Sequence, residues 1–380
     1  MRWRLGATAV MLALASAVGW LFYVRAQPVG APPPEPERAG HGAMTRQLST
    51  EDRVDAIARA QVWHEPRTEI SNAFLEPDPI IDVLSCRFRL THLGGTTPKF
   101  DCALDDGELV RVKYGNGPEI PGEAAATRLL RALGFGSDQI TLVERLRCYG
   151  CPVEPFTIVK AVQLASAQSL YASAVNYNDH RDFEWVAIER KFDAWPIETA
   201  TQEGWAMPEL DRIDARRGGA PRAHVDALRL LAVFLAHWDN KADNQRLVCE
   251  TPGWREGTPC PAPLMLLQDV GATFGPRKVN LRGWRNSRIW ADRSTCLVTM
   301  RHMPYSGATF QDVRIGEEGR RFLVERLAQL SDDQIARLFE GARFDRKRGL
   351  FSDVRPIDAW VEAFRIRRAM ISEGPPCPPL

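Results

Sequence analysis

The sequence is short of net charge: 49 Lys and Arg stand against 48 Asp and Glu, a balance of +1 over 380 residues. That removes the basic surplus on which a general attraction to nucleic acid rests, so no nucleic-acid partner is expected. No internal repeat is present. HExxH and GxSxG are both missing, which sets aside the zinc-protease and serine-hydrolase signatures. There is one CxxC, "CYGC" at Cys148 to Cys151, and no second CxxC or HxxxH to complete a zinc set. A thioredoxin-type CxxC should open a helix after a strand, so a thiol oxidoreductase is a minor reading and a local structural disulfide the main one.

What is present fits a globular enzyme-sized chain. A hydrophobic fraction of 44% and a charged fraction of 26% are ordinary, and the length allows one large or two moderate domains. Eleven Trp is a high count, read here as core. The N-terminus departs from the rest. "MRWR" precedes twenty uncharged residues from Leu5 to Val24, long enough to cross a bilayer as a helix with the Arg residues left in the cytoplasm. A signal peptide cleaved after "VRA", before Gln27, is the competing reading. Either places the remainder of the chain outside the cytoplasm, anchored to the inner membrane or released to the periplasm. Eight cysteines, at 86, 102, 148, 151, 249, 260, 296 and 377, can pair in such a compartment. Cys249 and Cys260 flank a turn-rich segment that reads as a stapled loop, and Cys86 with Cys102 is a further candidate pair; spacing leaves the full connectivity open.

Residues 1–26 are therefore anchor or signal, and 27–47, rich in Pro, Gly and Ala, an extended linker. Folded sequence begins near Leu48, with Ser49 or Thr50 positioned to cap a helix. Residues 48–160 read as a small strand-rich lobe. "LSCRFRLTHL" alternates, and "FDCALDDGELVRVKYG" is a hairpin turning at Asp105-Asp106-Gly107. "PGEAAATRLLRALGFG" is a helix begun by Pro121 and Gly122 with Glu123 in its first turn, and "QITLVERLRC" and "FTIVKAVQL" are further strands. Residues 161–380 read as a larger helical lobe. Its centre is "AHVDALRLLAVFLAHW", apolar nearly all round and so buried. Two helices split at Ser331-Asp332 and a last one over "DVRPIDAWVEAFRIRRAMI" complete it. A cleft between the lobes is the natural ligand site.

Four segments carry the parts that phosphoryl transfer needs, namely positioned positive charge and metal ligands. In "GGTTPKF", Gly94 and Gly95 permit close backbone approach to a ligand, Thr96 and Thr97 offer hydroxyls, and Lys99 adds charge. In "LVRVKYG", alternation puts Val110, Val112 and Tyr114 on one face, Arg111 and Lys113 on the other. Lys113 can then reach phosphates, held by Glu123. "HWDNKADNQ" follows the buried helix: Asp239 can orient an acceptor hydroxyl and Asn244 can offer an oxygen to magnesium. "LMLLQDVGATF" ends an apolar strand in Asp269 beside Gly271, a second metal position. His237 reads as a packed, hydrogen-bonded histidine, and the Arg-rich stretch from Asp214 to His224 as a solvated loop.

Together these segments resemble the atypical kinase superfamily that contains HipA-like and phosphatidylinositol 3-/4-kinases. The phosphatidylinositol kinases carry Asp-Arg-His-x-x-Asn followed by Asp-Phe-Gly, matched here by Asp239 to Asn244 and by Asp269-Val270-Gly271. HipA-like enzymes carry a Gly-x-x-Pro-Lys loop like Gly95 to Lys99. The resemblance spans roughly residues 90–275. It implies an α+β, bilobal protein-kinase-like fold using ATP with Mg2+ or Mn2+: Lys113 on phosphates, Glu123 holding it, Asp239 catalytic, Asn244 and Asp269 on metal. Lys241 stands where that family has His, and Val270 where it has Phe. The expected activity is an exported, disulfide-bonded kinase acting on a hydroxyl of a protein, glycan or lipid. The alternative is a non-catalytic envelope protein that keeps the fold to bind a nucleotide or partner.

Overall fold

The computed structural model describes residues 46–47, 49–75, 83–199, 201–252, 254, 258–304, 307–346 and 355–380. The expected N-terminal hydrophobic helix lies outside the described residues, as does all of the linker except 46–47. Among the described residues no helix is long and apolar enough to cross a membrane.

The architecture is mixed α+β. Five strands close into a barrel: β2 (Leu84–Arg89), β3 (Lys99–Leu104), β4 (Leu109–Lys113), β5 (Gln139–Tyr149) and β6 (His180–Arg190), with β1 being the short Arg46–Gln47. Their order around the barrel is β2-β3-β4-β6-β5, closed by a parallel pairing of β2 with β5. Alternation fills the interior: Phe88, Phe100, Val110, Val112, Leu146, Val186 and Ile188 are all buried there. The β3–β4 hairpin turns at Asp105 to Gly107 as its sequence dictates, with Gly107 in the left-handed region.

Three expectations need correction. "FTIVKAVQL" is not a strand: Pro155–Leu164 is a helix (α3) with Pro155 at its first turn, where the missing N–H costs nothing. The preceding helix α2 runs Glu119–Ala132, so Pro121 and Gly122 lie inside its first turn and Glu123 one turn further along. The barrel also continues to Arg190, beyond residue 160, because β6 pairs with both β4 and β5. Ahead of them, α1 (Thr50–Arg59) is capped by Ser49, which accepts from the Asp52 N–H.

After the barrel, the short helix α4 having been Gln168–Ser173, the chain enters a helical region. Its axis is α5 (Arg222–Leu235), with every residue from Val225 to Leu235 buried. Around it lie α6 (Leu281–Asn286), α7 (Glu317–Ala328), α8 (Asp332–Gly341, with Ser331 and Gln334 forming a capping box) and α9 (Ile357–Ser372). An aromatic cluster of Phe234, Phe274, Trp284, Phe339, Trp360 and Phe364 joins α5, α6, α8 and α9 through edge-to-face contacts, with Trp360 tilted against Phe339. A four-stranded sheet, β1-β7-β8-β9, bridges toward the barrel, with β7 Trp195–Glu198, β8 Gln245–Cys249 and β9 Pro263–Leu267.

Four disulfides are formed: Cys86–Cys102, Cys148–Cys151, Cys249–Cys260 and Cys296–Cys377. The first three are the pairs the spacing suggested; the fourth joins residues 81 apart. This usage is consistent with an oxidising, extracytoplasmic compartment.

Candidate active site

Lys113 ends β4 on the outer face of the barrel, opposite the inward-facing Val110 and Val112, and is buried, only 3% exposed. Its Nζ lies 2.7 Å from both carboxylate oxygens of Glu123 on α2. It is also 3.0 Å from Glu189 Oε2 and 4.0 Å from Asp269 Oδ1. Glu189 sits on β6 in register with Arg111, two residues before the strand's neighbour Lys191. Lys191 pairs with Glu189 and, at 3.0 Å, with Asp138. Glu189 was not legible as a site residue, although an acid ending an otherwise apolar "VAIER" run was the available signal.

One ammonium among three carboxylates divides them. Burial opposes the Lys113 charge, but Glu123, Glu189 and Asp269 outweigh it and hold the amine well above its usual range. Burial pushes Glu123 up to about 8, with Lys113 opposing and the charges on Asp269 and Glu189 adding. Burial would raise Glu189 too, but Lys113, Lys191 and Arg111 keep it well below the ordinary carboxylate range. The same contest at Asp269 ends low, burial being outweighed by Lys113, Lys99 and Lys191. Lys99, in register with Lys113 on the neighbouring strand, has its amine lowered by burial and then by Lys113.

The glycine-bearing loop arches from β2 to β3. Gly95 has φ +65°, and a Cβ there would stand 3.2 Å from Lys99 Nζ, so this position needs glycine. Gly94 has nothing within 4 Å of a would-be Cβ. Thr96 is exposed, whereas Thr97 donates its hydroxyl to Glu119 at 2.5 Å.

On the helical side α5 stops at Ala236, which takes φ +56° and turns the chain. His237 is fully buried, as its place suggested, but among the described residues neither ring nitrogen has a hydrogen-bond partner. Burial lowers its pKa to about 4, with Asp269 opposing, so the ring is neutral. Asn240, given no role of its own in the sequence motif, pins the loop. Its Oδ1 accepts from the Thr309 and Phe310 N–H groups at 2.9 and 2.8 Å, and its Nδ2 donates to the His237 carbonyl at 2.8 Å. Asp239 is left partly exposed with Lys241 Nζ 3.7 Å away. Asn244 Nδ2 donates to the Asp239 carbonyl at 2.6 Å, which turns its amide oxygen the other way. The Asn244 carbonyl accepts from the N–H groups of Gln268 and Asp269, 3.1 Å each, so the two metal-ligand candidates share one backbone joint. Gly271 completes the contact: a Cβ there would lie 2.2 Å from Glu119 Cγ.

A nucleotide and a divalent ion fit these residues chemically. Asp269 is kept ionised, Asn244 has its oxygen freed by its own N–H bond, and both are the hard oxygen donors that magnesium takes. Lys113 and Lys99 supply paired positive charge on adjacent strands, beside a loop whose Gly95 takes a left-handed φ of +65°. A cavity of about 2080 Å³ adjoins this group and shares Glu189 with it. It runs past the Arg111–Asp101 ion pair and Lys191 to Thr127 on α2 and Leu264 on β9. Lys113, Lys99 and Asp269 do not line it. The Arg-rich stretch before α5 is taken up locally: Arg222 pairs with Asp226 and Asp211, and Arg217 with Asp55.

No family model matches the sequence, and no curated protein matches it. Among solved structures it is similar to the Helicobacter pylori proinflammatory kinase CtkA, at 10% identity and a TM-score of 0.40, covering 76% of this chain and 94% of that one.

Proposed function

We propose that this chain is an exported phosphotransferase that uses ATP and a divalent metal to phosphorylate a hydroxyl on a protein, glycan or lipid. One observation carries the reading: Lys113 is buried, gripped by Glu123 at 2.7 Å and held 4.0 Å from Asp269. A lysine serving stability alone gains little from this arrangement. Burying an ammonium costs several kcal/mol, and apolar side chains of similar volume would fill the space as well or better. A lysine fixed in place to meet phosphate oxygens gains from it directly.

Each residue then has a task. Lys113 meets the phosphates of the donor, Glu123 fixes its direction, and the loop from Gly94 to Thr97 with Lys99 covers them. Asn244 and Asp269 would hold the magnesium, which, when bound, neutralises charge on the transferred group. Asp239 sits at the loop's exposed edge, where an acceptor hydroxyl can approach. The hydroxyl oxygen attacks the terminal phosphorus, the bond to the bridging oxygen breaks, and the hydroxyl proton passes toward the Asp239 carboxylate. Lys241 beside it can steady the charge that develops. The membrane attachment rests on the N-terminal apolar run.

The test is a thermal-shift titration of the chain from Gly40 onward, disulfides intact, with ATP and Mg2+ or Mn2+. A ligand that binds only the folded state raises the melting temperature, by about 2.7 kcal/mol of stability at a hundredfold excess over Kd. A metal-dependent rise that disappears in Asp269→Ala is expected. Absence of any rise with a folded protein refutes the nucleotide site.

A further inference from the structure

Glu119 and Glu123 lie one helical turn apart on α2 and so share a face. Glu123 holds Lys113, as described. Glu119 has two partners of a different kind. Its Oε1 accepts the Thr97 hydroxyl of the glycine loop at 2.5 Å, and its Oε2 is ion-paired with Lys278, seven residues beyond Gly271. Lys278 Nζ also lies 5.9 Å from the centre of the Trp238 ring, next to Asp239 in the chain, and Trp238 Nε1 donates to the Gly275 carbonyl at 3.1 Å.

One carboxylate thus ties the glycine loop to the segment that follows Asp269, and both to the start of α2. Gly271 has to be glycine for this, since any Cβ there would displace Glu119. The tied segment is also strained. Phe274, Lys278 and Val279 take φ of +56°, +55° and +43°, a region that costs non-glycine residues on the order of 1–3 kcal/mol each and persists only where the surroundings enforce it.

We infer that Glu119 is a positioning residue, a latch that closes the glycine loop and the segment after Asp269 together, so that neither opens without the other. Thr97 and Lys278 are its two legs. This deepens the proposed function and rests on it in one respect only: if nucleotide binds beneath the loop, the latch has to release Thr97 for the phosphates to enter and leave. The coupling itself is a property of the protein without ligand.

Amide hydrogen exchange on the whole chain, with no nucleotide present, tests the coupling. Thr97→Val should speed exchange about tenfold in its own loop and also across 272–280, on the far leg; tenfold corresponds to losing one charge-assisted hydrogen bond. Lys278→Met should do the converse, and Glu119→Gln should release both. Peptides from the middle of α2 and from the barrel should not change, and Thr97→Ser and Lys278→Arg should restore the wild-type pattern. Effects confined to the substituted segment, or a Thr97→Ser variant that behaves like Thr97→Val, would overturn the latch. A second measurement, stopped-flow binding of a fluorescent ATP analogue with Mg2+, should show both association and dissociation faster in Glu119→Gln. Unchanged rates in a protein that binds the analogue would overturn it as well. Coupled exchange in a chain that binds no nucleotide would leave the latch standing and refute the nucleotide site alone.

Discussion

Replacing Lys113 by Met should unfold this protein more effectively than it informs on catalysis. The ammonium stands between Glu123 and Glu189, whose side chains are 1% and 4% exposed. Removing it leaves two buried carboxylates facing a thioether. Breaking a buried pair from one side costs about 3–5 kcal/mol, because the remaining charge has no compensation. At 1.4 kcal/mol per factor of ten, that lowers the folded-to-unfolded ratio by roughly two to three and a half orders of magnitude. Lys191 still neutralises part of the Glu189 charge, so Glu123 is where the deficit concentrates. The deficit also has a sign with pH. Burial already holds Glu123 up at about 8 with Lys113 in place, and without the ammonium it rises further. The fold thus keeps a proton that the unfolded chain gives up near its ordinary value of about 4.3. The folded form then binds more protons, and stability falls as pH rises. Urea denaturation followed by Trp fluorescence, at about pH 5 and about pH 8, reads both effects. Lys113→Met/Glu123→Gln should recover most of the loss at the higher pH, since a neutral amide no longer needs the cation. A single variant within about 1 kcal/mol of wild type at about pH 8, or a double variant no better than the single, would refute the electrostatic account of this site.

Two further outcomes follow from the same geometry. His237 is neutral in the fold with its pKa lowered to about 4, so the stability it contributes is complete above its unfolded value of 6.5 and lost as pH falls through 6.5 toward 4. The loss amounts to about 3 kcal/mol at 1.36 kcal/mol per unit, and urea midpoints of His237→Leu should lack this component. Among the disulfides, Cys296–Cys377 closes 81 residues and Cys148–Cys151 closes 3. Replacing the former pair by Ser should cost about 4–5 kcal/mol and the latter about 1–2 kcal/mol, measured as the drop in melting temperature of each double variant.

The parts of this site that local chemistry fixes could be read in the sequence. Ser49 and Ser331 cap where they should because a side-chain oxygen three residues ahead of a free N–H needs nothing distant. Lys113 falls on the outer face because a strand alternates. What was hidden depends on packing. The α3 segment is rich in β-branched and aromatic residues, yet it is helical: one side, with Val159 buried, lies on the barrel, and Pro155 suits a first turn. β6 carries His, Arg, Asp and Glu in its first half, exposed along the barrel, and Trp185 takes φ +55° in its middle, so no alternation marks it. Glu189 was lost with the strand that bears it. The Cys296–Cys377 pair needs the last helix folded back before its partners meet.

The C-terminal helices matched no motif, and they nonetheless decide where Asp239 stands. Arg367 on α9 is wholly buried, and burial lowers its pKa to about 9, still charged near neutrality. It donates to the carbonyls of Val233 and Phe234 at 2.8 and 2.9 Å, the end of α5, and to those of Trp284 on α6 and Ser287 just past its end at 2.7 and 2.9 Å. A cation at a helix C-terminus meets the negative end of its dipole and satisfies carbonyls that have no partner within the helix. Two residues after those carbonyls the chain turns at Ala236, then runs through His237 to Asp239. The loop that carries Asp239 is thus held from below by a charge 133 residues from Phe234 in sequence and from the side by Asn240. Motif spacing supplies Asp239 and Asn244, and this arginine supplies the fixed helix end from which their loop projects.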